Sequence, residues 1–427
     1  MESNLRFWAP PTTVSSPSPF PEAPVLSLSL PRERGLALRN LADFQTELAR
    51  VAAGFVPALE EWDLRCGLPL HVFSDFRMVQ DLRVRQRELG VIPTEIHLSA
   101  SAPGRRLLEC LCEAPSSADA LEAVYLQVKP QLLKWIEGFL QATRSVYDLP
   151  SAPLLEANRD LLRAQIAWAG EARPRLGEPD AIFQARVLVA LGELETELGV
   201  LERRRSEPVR TARKMGRLPL ADGALPRGFT PRATLPKAPT ADSPYPERER
   251  FFAMNFMMEM QATDSCASIL FEAPDMPWDF YFDAARHMWD ESRHATFGEL
   301  KLKSLGIAFK DVPLSTTAYR LRQTLTPHDR YAALTTQEAD AFPGKHQGLK
   351  AALDHHDSVG AMTWSYDIAD ETQHVRFGQK WLPGLIKAAG DPRSPDQVRA
   401  DAENWRANVL AVTYRPDSLG SAPTPTA

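Results

Sequence analysis

The stretch Asp290-Glu291-Ser292-Arg293-His294-Ala295-Thr296-Phe297-Gly298 returns as Asp370-Glu371-Thr372-Gln373-His374-Val375-Arg376-Phe377-Gly378. Both copies read Asp-Glu-x-x-His-x-x-Phe-Gly. Glu and His three apart share one helical face, because three residues are close to one turn. Each copy has a further glutamate upstream, Glu259 before the first and Glu338 before the second. Two such faces, with one carboxylate from each of two more helices, make four carboxylates and two imidazoles. That is the ligand set of a dinuclear iron or manganese centre in a four-helix bundle. One Glu-x-x-His would be weak grounds; two copies sharing flanking Asp, Phe and Gly are strong grounds.

The spacing supports the pairing. Pro274 and Pro277 break the chain between an expected helix over 247–270 and another from Trp278 to about Leu305, where Gly306 supplies the stop. At ~1.5 Å per residue, Glu259 and Glu291 lie at one level of that antiparallel hairpin. Glu338 to Glu371 spans 33 residues against 32 for Glu259 to Glu291, which makes Glu338 the fourth carboxylate. Its helix is expected to hold Tyr331 to Ala341 and to end at Pro343-Gly344, with residues 345–357 forming a short extra helix. The fourth helix should run from Ser358 to Ile386. Asp354 and Asp357 are the fallback carboxylates.

The candidate ligands, which are also the candidate catalytic residues, are therefore Glu259, Glu291, His294, Glu338, Glu371 and His374. Glu259 stands in the apolar run Phe256-Met257-Met258-Glu259-Met260, where a carboxylate needs a partner and a metal is an economical one. Asp290 and Asp370 lie one turn before each histidine; the resemblance of this pattern to di-iron carboxylate sites implies that each aspartate hydrogen-bonds the free nitrogen of the opposite histidine. The alternative is an exposed acid. His287 and Asp367 precede the motif glutamates by four residues, and read as pocket-lining groups, extra ligands or, for the histidine, a satisfied core residue. Gly298 and Gly378 either leave room beside the metal face or ease helix packing.

These residues resemble the ferritin-like di-iron carboxylate proteins. More narrowly, the second half is similar to a bacterial ferritin-like family of largely unassigned activity, through Glu338, Pro343-Gly344, His356-Asp357, Asp370-Glu371-Thr-Gln-His374-Val375, Gly378 and Trp381. The resemblance covers about a third of the chain. It implies the bundle and the metal, and hardly the reaction.

The rest of the chain reads as helical with irregular connections, an all-α protein. Residues 1–33 are rich in Pro and Ser. Residues 34–205 carry helical periodicity, as in Leu36, Leu41, Phe44 and Leu48. Residues 206–246 interleave proline with Arg and Lys, which suits an extended linker. Residues 247–390 hold the di-metal domain, and 391–427 an extension with a disordered tail. Asp148-Leu-Pro150 and Ala157-x-Arg159 align without gaps on Asp275-Met-Pro277 and Ala284-x-Arg286, putting Ala164 and Ala167 on Glu291 and His294. The first half is then either a copy of the bundle that lost its ligands, serving as scaffold, lid or internal partner, or an unrelated pair of hairpins.

Composition narrows the function. The chain has 427 residues, a net charge of −6 and 44% hydrophobic residues, a globular balance that argues against a large nucleic-acid footprint. No apolar run reaches the ~20 residues that span a bilayer, and the amino terminus does not read as a signal peptide. Cys66, Cys110, Cys112 and Cys266 form no Cys-x-x-Cys pair and fit a reducing cytoplasm.

Oxygen-and-nitrogen ligation suits two iron ions, with manganese or a mixed manganese–iron pair as substitutes. The expected activity is an oxidoreductase: an O₂-activating non-haem di-iron oxidase or monooxygenase acting on a small organic substrate. Hydroxylation, N-oxygenation, desaturation and oxidative rearrangement all fit. The competing readings are iron or peroxide handling of the ferritin or rubrerythrin type, and a metal-stabilised binding protein. No flavin, nicotinamide or iron–sulfur fingerprint is present, so electrons come from a separate reductase, a chemical reductant or the substrate. Assembly as a homodimer stays open.

Overall fold

The computed structural model describes residues 30–94, 102–143, 146–201, 223–231, 239–240, 242–273 and 276–410. Helices α1 (Pro31–Gly54), α2 (Trp62–Glu88), α3 (Ala102–Cys112), α4 (Ser117–Leu121), α5 (Lys129–Thr143), α6 (Ala152–Ala172) and α7 (Ala181–Leu201) precede the linker. After it come α8 (Tyr245–Met258), α9 (Met260–Glu272), α10 (Trp278–Ser304), α11 (Thr317–Arg322), α12 (Pro327–Asp354), α13 (Ser358–Ala389) and α14 (Pro395–Trp405). An isolated β bridge pairs Pro231 with Leu314, and the described residues form no β-sheet. The chain is all-α, and no described helix is long and apolar enough to cross a membrane.

Local chemistry sets the helix ends. Thr326 accepts from the Asp329 amide before α12, Asp357 from Gly360 before α13, and Ser394 from Gln397 before α14. Gly306 and Gly390 leave α10 and α13 at φ of +71° and +68°, the left-handed region where glycine carries no Cβ penalty.

Two expectations about helices need correction. The segment expected as one helix over 247–270 is two, α8 and α9, divided at Glu259. The expected break at Pro343-Gly344 is absent, and α12 runs through both to Asp354. Proline there removes one backbone donor, but contacts with α13 outweigh the loss. Lys345 bonds to Asp367 and Glu371. The Trp364 ring lies where a Cβ on Gly348 would be, 2.4 Å from that position.

The two halves share one hydrophobic core, from Leu38 and Phe76 through Leu162 to Phe280 and Leu385. Arg50 of α1, buried, donates from Nε to the Leu270 carbonyl at 3.0 Å and from Nη2 to the Phe271 and Ala273 carbonyls, satisfying the open end of α9. Arg65 of α2 bonds Asp264 of α9 with both full burial and two nitrogens. The described part of the linker lies against the first half. The Ala224 and Arg227 amides donate to the Pro57 and Glu60 carbonyls, and Phe229 packs on Trp62. Expectations for residues 1–29 and for the tail from 411 lie outside the described residues.

Ala164 and Ala167, aligned with Glu291 and His294, are exposed on α6, whereas Glu291 and His294 are buried. The inward polar residues of α6 are Asn158, which pairs with Gln45, and Gln165, which joins Asp75 and the buried Lys129. The ungapped alignment therefore does not superpose ligand positions.

Candidate metal centre

Four helical segments converge on one buried site: the α8–α9 junction, α10, α12 and α13. Their inward faces carry two groups of residues. His287, Glu291, Glu338 and His374 form one, and Glu259, His294, Asp367 and Glu371 the other; within each, one ligand-capable atom per residue lies within 4.8 Å of the rest. All six sequence candidates are brought together, three in each group. His287 and Asp367, left open between lining and ligation, complete the sets. Asp354 and Asp357, the fallback carboxylates, are in neither: Asp354 pairs with Lys350, and Asp357 with Lys301 and Tyr245.

An approximate two-fold relation links the groups. Glu259, His294, Glu371 and Asp367 correspond to Glu338, His374, Glu291 and His287, each group drawing its glutamate from the opposite motif copy. The motif glycines repeat the relation. A Cβ on Gly298 would stand 2.4 Å from the Ala253 carbonyl oxygen, and one on Gly378 2.6 Å from Thr335. Bare glycine lets α10 approach α8 and α13 approach α12, and this close approach brings Glu259 and Glu338 to the site.

The imidazoles are oriented from outside. His294 Nε2 lies 3.3 Å from Asp370 Oδ2, and His374 Nε2 lies 3.4 Å from Asp290 Oδ2. Each aspartate thus holds the histidine of the other motif copy. With Nε2–H donated outward, Nδ1 presents its lone pair inward: His294 Nδ1 is 3.2 Å from Glu259 Oε2 and His374 Nδ1 3.1 Å from Glu291 Oε1. Arg286 and Arg293 bond both aspartates and balance their charge.

The inner atoms are left without hydrogen bonds. Glu259 Oε2, Glu291 Oε1, Glu338 Oε2, Asp367 Oδ2, Glu371 Oε2, His294 Nδ1 and His374 Nδ1 are buried with no hydrogen bond, whereas the inward nitrogen of His287 is Nε2, 3.0 Å from Glu338 Oε1. An unsatisfied buried polar atom costs about 1–3 kcal/mol, more when charged, and so many in one place is an arrangement that cations would satisfy. The residues present fit a pair of hard or borderline divalent ions.

Titration reflects the crowding of like charges. Burial pushes Glu259 up to about 8 and Asp367 to about 6, and raises Glu338. Burial acts the same way on Glu291, but the His287 and His374 imidazoles facing it outweigh that and hold this carboxyl well below the usual range. For Glu371 the opposing cation is Lys345. The three histidines are held well above their ordinary value: burial opposes this, and the surrounding acids overcome it.

Sequence reading missed Lys345. Its ammonium, buried, lies 2.7 Å from Asp367 Oδ1 and 2.7 Å from Glu371 Oε1. The signal was its position seven residues after Glu338, two turns along the same face. Reading Pro343-Gly344 as a helix end concealed it. Cys266 also adjoins the site, next to His287.

Residues 228–415 match a family described as "Protein of unknown function (DUF455)". No curated protein and no solved structure matched the chain.

Proposed function

We propose that this chain is a ferritin-like di-iron protein of the O₂-activating oxidase or oxygenase class, acting on a small organic substrate. The observation that carries the reading is the double set of buried, unpartnered ligand atoms drawn from four helical segments. A pair of iron(II) ions bound there would supply two electrons to O₂.

The chain's own residues prepare the site. Asp290 and Asp370 fix the tautomer and tilt of His374 and His294, and Arg286 and Arg293 pair with both aspartates. Glu259 is the one member of the two sets that is not buried, its side chain 25% exposed at the α8–α9 break. Met257, Met258 and Met260 flank it, so a small apolar molecule approaches from this side.

Anaerobic loading with iron(II), elemental analysis, then O₂ exposure in cell extract with mass spectrometry of products tests the reading. The expected result is about two ions per chain and O₂ consumption coupled to a new organic product. A clean stoichiometry of one, or preference for zinc over iron in competition, would sink the dinuclear reading. Iron accumulation or peroxide removal without an organic product would favour the storage or detoxifying class.

A further inference from the structure

The approximate two-fold symmetry fails in charge at one pair of positions. His287, neutral as a ligand, corresponds to Asp367, a carboxylate. The His287 group holds two carboxylates and the Asp367 group three. The excess negative charge has a partner of its own: Lys345 reaches in from α12 and donates to Asp367 Oδ1 and Glu371 Oε1, both at 2.7 Å. In the other group the residue corresponding to Lys345 is Cys266, seven positions after Glu259 as Lys345 is seven after Glu338; it lies next to His287 and supplies no cation. The oxygens that Lys345 engages are not the orphans. Asp367 Oδ2 and Glu371 Oε2 remain unpartnered beside it, so an ion and the ammonium can be held together.

We infer that Lys345 is a built-in cation that weakens divalent-ion binding at the Glu259–His294–Asp367–Glu371 half, so that the centre fills in order, the His287 half first. The inference rests on the dinuclear reading and adds a rule for loading. With Lys345 in place each half carries two net negative charges, but at the Asp367 half the ammonium already occupies one oxygen each of Asp367 and Glu371, so an entering ion meets fewer free donor oxygens there and a fixed positive charge beside them. A unit charge a few ångströms from a cation outweighs a factor of ten even in a well-screened interior. The donors differ too. Two imidazoles favour a borderline ion at the His287 half, and three carboxylates favour a harder one at the other.

Titration of the full-length, metal-stripped protein with Mn²⁺, followed by the resonance of free Mn²⁺, and with Co²⁺, followed by visible absorption, tests this. The native chain should bind in two steps separated by about tenfold or more. In Lys345→Met the second step should tighten by about tenfold or more while the first stays within about threefold. Lys345→Gln, which keeps polarity and removes charge, should move it the same way and guards against a misfolded Met variant. Asp367→Asn alone should weaken the second step, and Asp367→Asn with Lys345→Met should return it towards the native value. A second step unchanged or weakened by both Lys345 variants overturns the inference while leaving the dinuclear reading standing. Absence of any binding in the native chain overturns both.

Discussion

Replacing Gly298 by alanine tests how the site is assembled. The added Cβ would meet the Ala253 carbonyl oxygen at 2.4 Å, the Met257 amide nitrogen at 2.7 Å and Met257 Cγ at 2.8 Å. Ordinary contact begins at 3.4 Å, so α8 must retreat by about 1 Å. Two of the three obstacles are backbone, which no rotamer change removes. Overpacking of this kind costs about 3 kcal/mol, offset by about 1 kcal/mol from the better helix propensity of alanine. The net loss is then about 2 kcal/mol. Glu259 directly follows α8, and a ligand shifted by ~1 Å exceeds the ~0.2 Å tolerance of a metal site. Gly298→Ala should therefore lower the denaturation midpoint and weaken the Glu259 half more than the His287 half, read by Co²⁺ titration. In Gly378→Ala the three nearest atoms all belong to the Thr335 side chain, including its Cβ at 2.6 Å. Thr335→Gly should restore much of the loss there, whereas Met257→Ala should not rescue Gly298→Ala. A Gly298→Ala protein with native stability and native titration, or one rescued by Met257→Ala, would refute the reasoning.

Three further outcomes follow from the geometry. Glu338→Gln keeps size but removes a buried ligand charge, and should abolish binding of one of two ions and O₂ consumption. Asp357→Asn loosens only the α13 cap and the Lys301 and Tyr245 contacts, costing about 1 kcal/mol with both ions retained; metal titration of the pair decides. Asp290→Asn and Asp370→Asn should each lower metal affinity by ~10–100-fold with helical content unchanged by circular dichroism. The histidines of the metal-free protein have folded pKa values above their unfolded values. Their stabilising contribution is complete below the unfolded value of ~6.5 and is lost as pH rises through the raised folded values. Metal must displace those protons, so affinity should rise with pH and binding should release protons, measurable by calorimetry in buffers of different ionisation enthalpy.

A chain beginning near Pro244 should not fold alone. It would strip the shared core from Leu270 and Phe280 and leave Asp264 without Arg65, an uncompensated buried charge.

The ligands on α10 and α13 were legible in the sequence because helical spacing alone puts Glu291 with His294 and Glu371 with His374 on one face. The same periodicity made Asp290 and Asp370 readable as outer partners, and chain spacing proposed Glu259 and Glu338. Periodicity could not say how helices from distant parts of the chain face each other. Whether His287 and Asp367 point into the two groups, and which half each joins, depends on helix rotation set by the close approaches at Gly298 and Gly378. Lys345 lay beyond reading for a sharper reason. Local propensity ends a helix at Pro-Gly, and only the contacts of α12 with Trp364, Asp367 and Glu371 carry it onward. Those contacts join residues about 20 positions apart through a turn whose geometry no local pattern encodes, so the charge at the heart of the site was decided by tertiary structure alone.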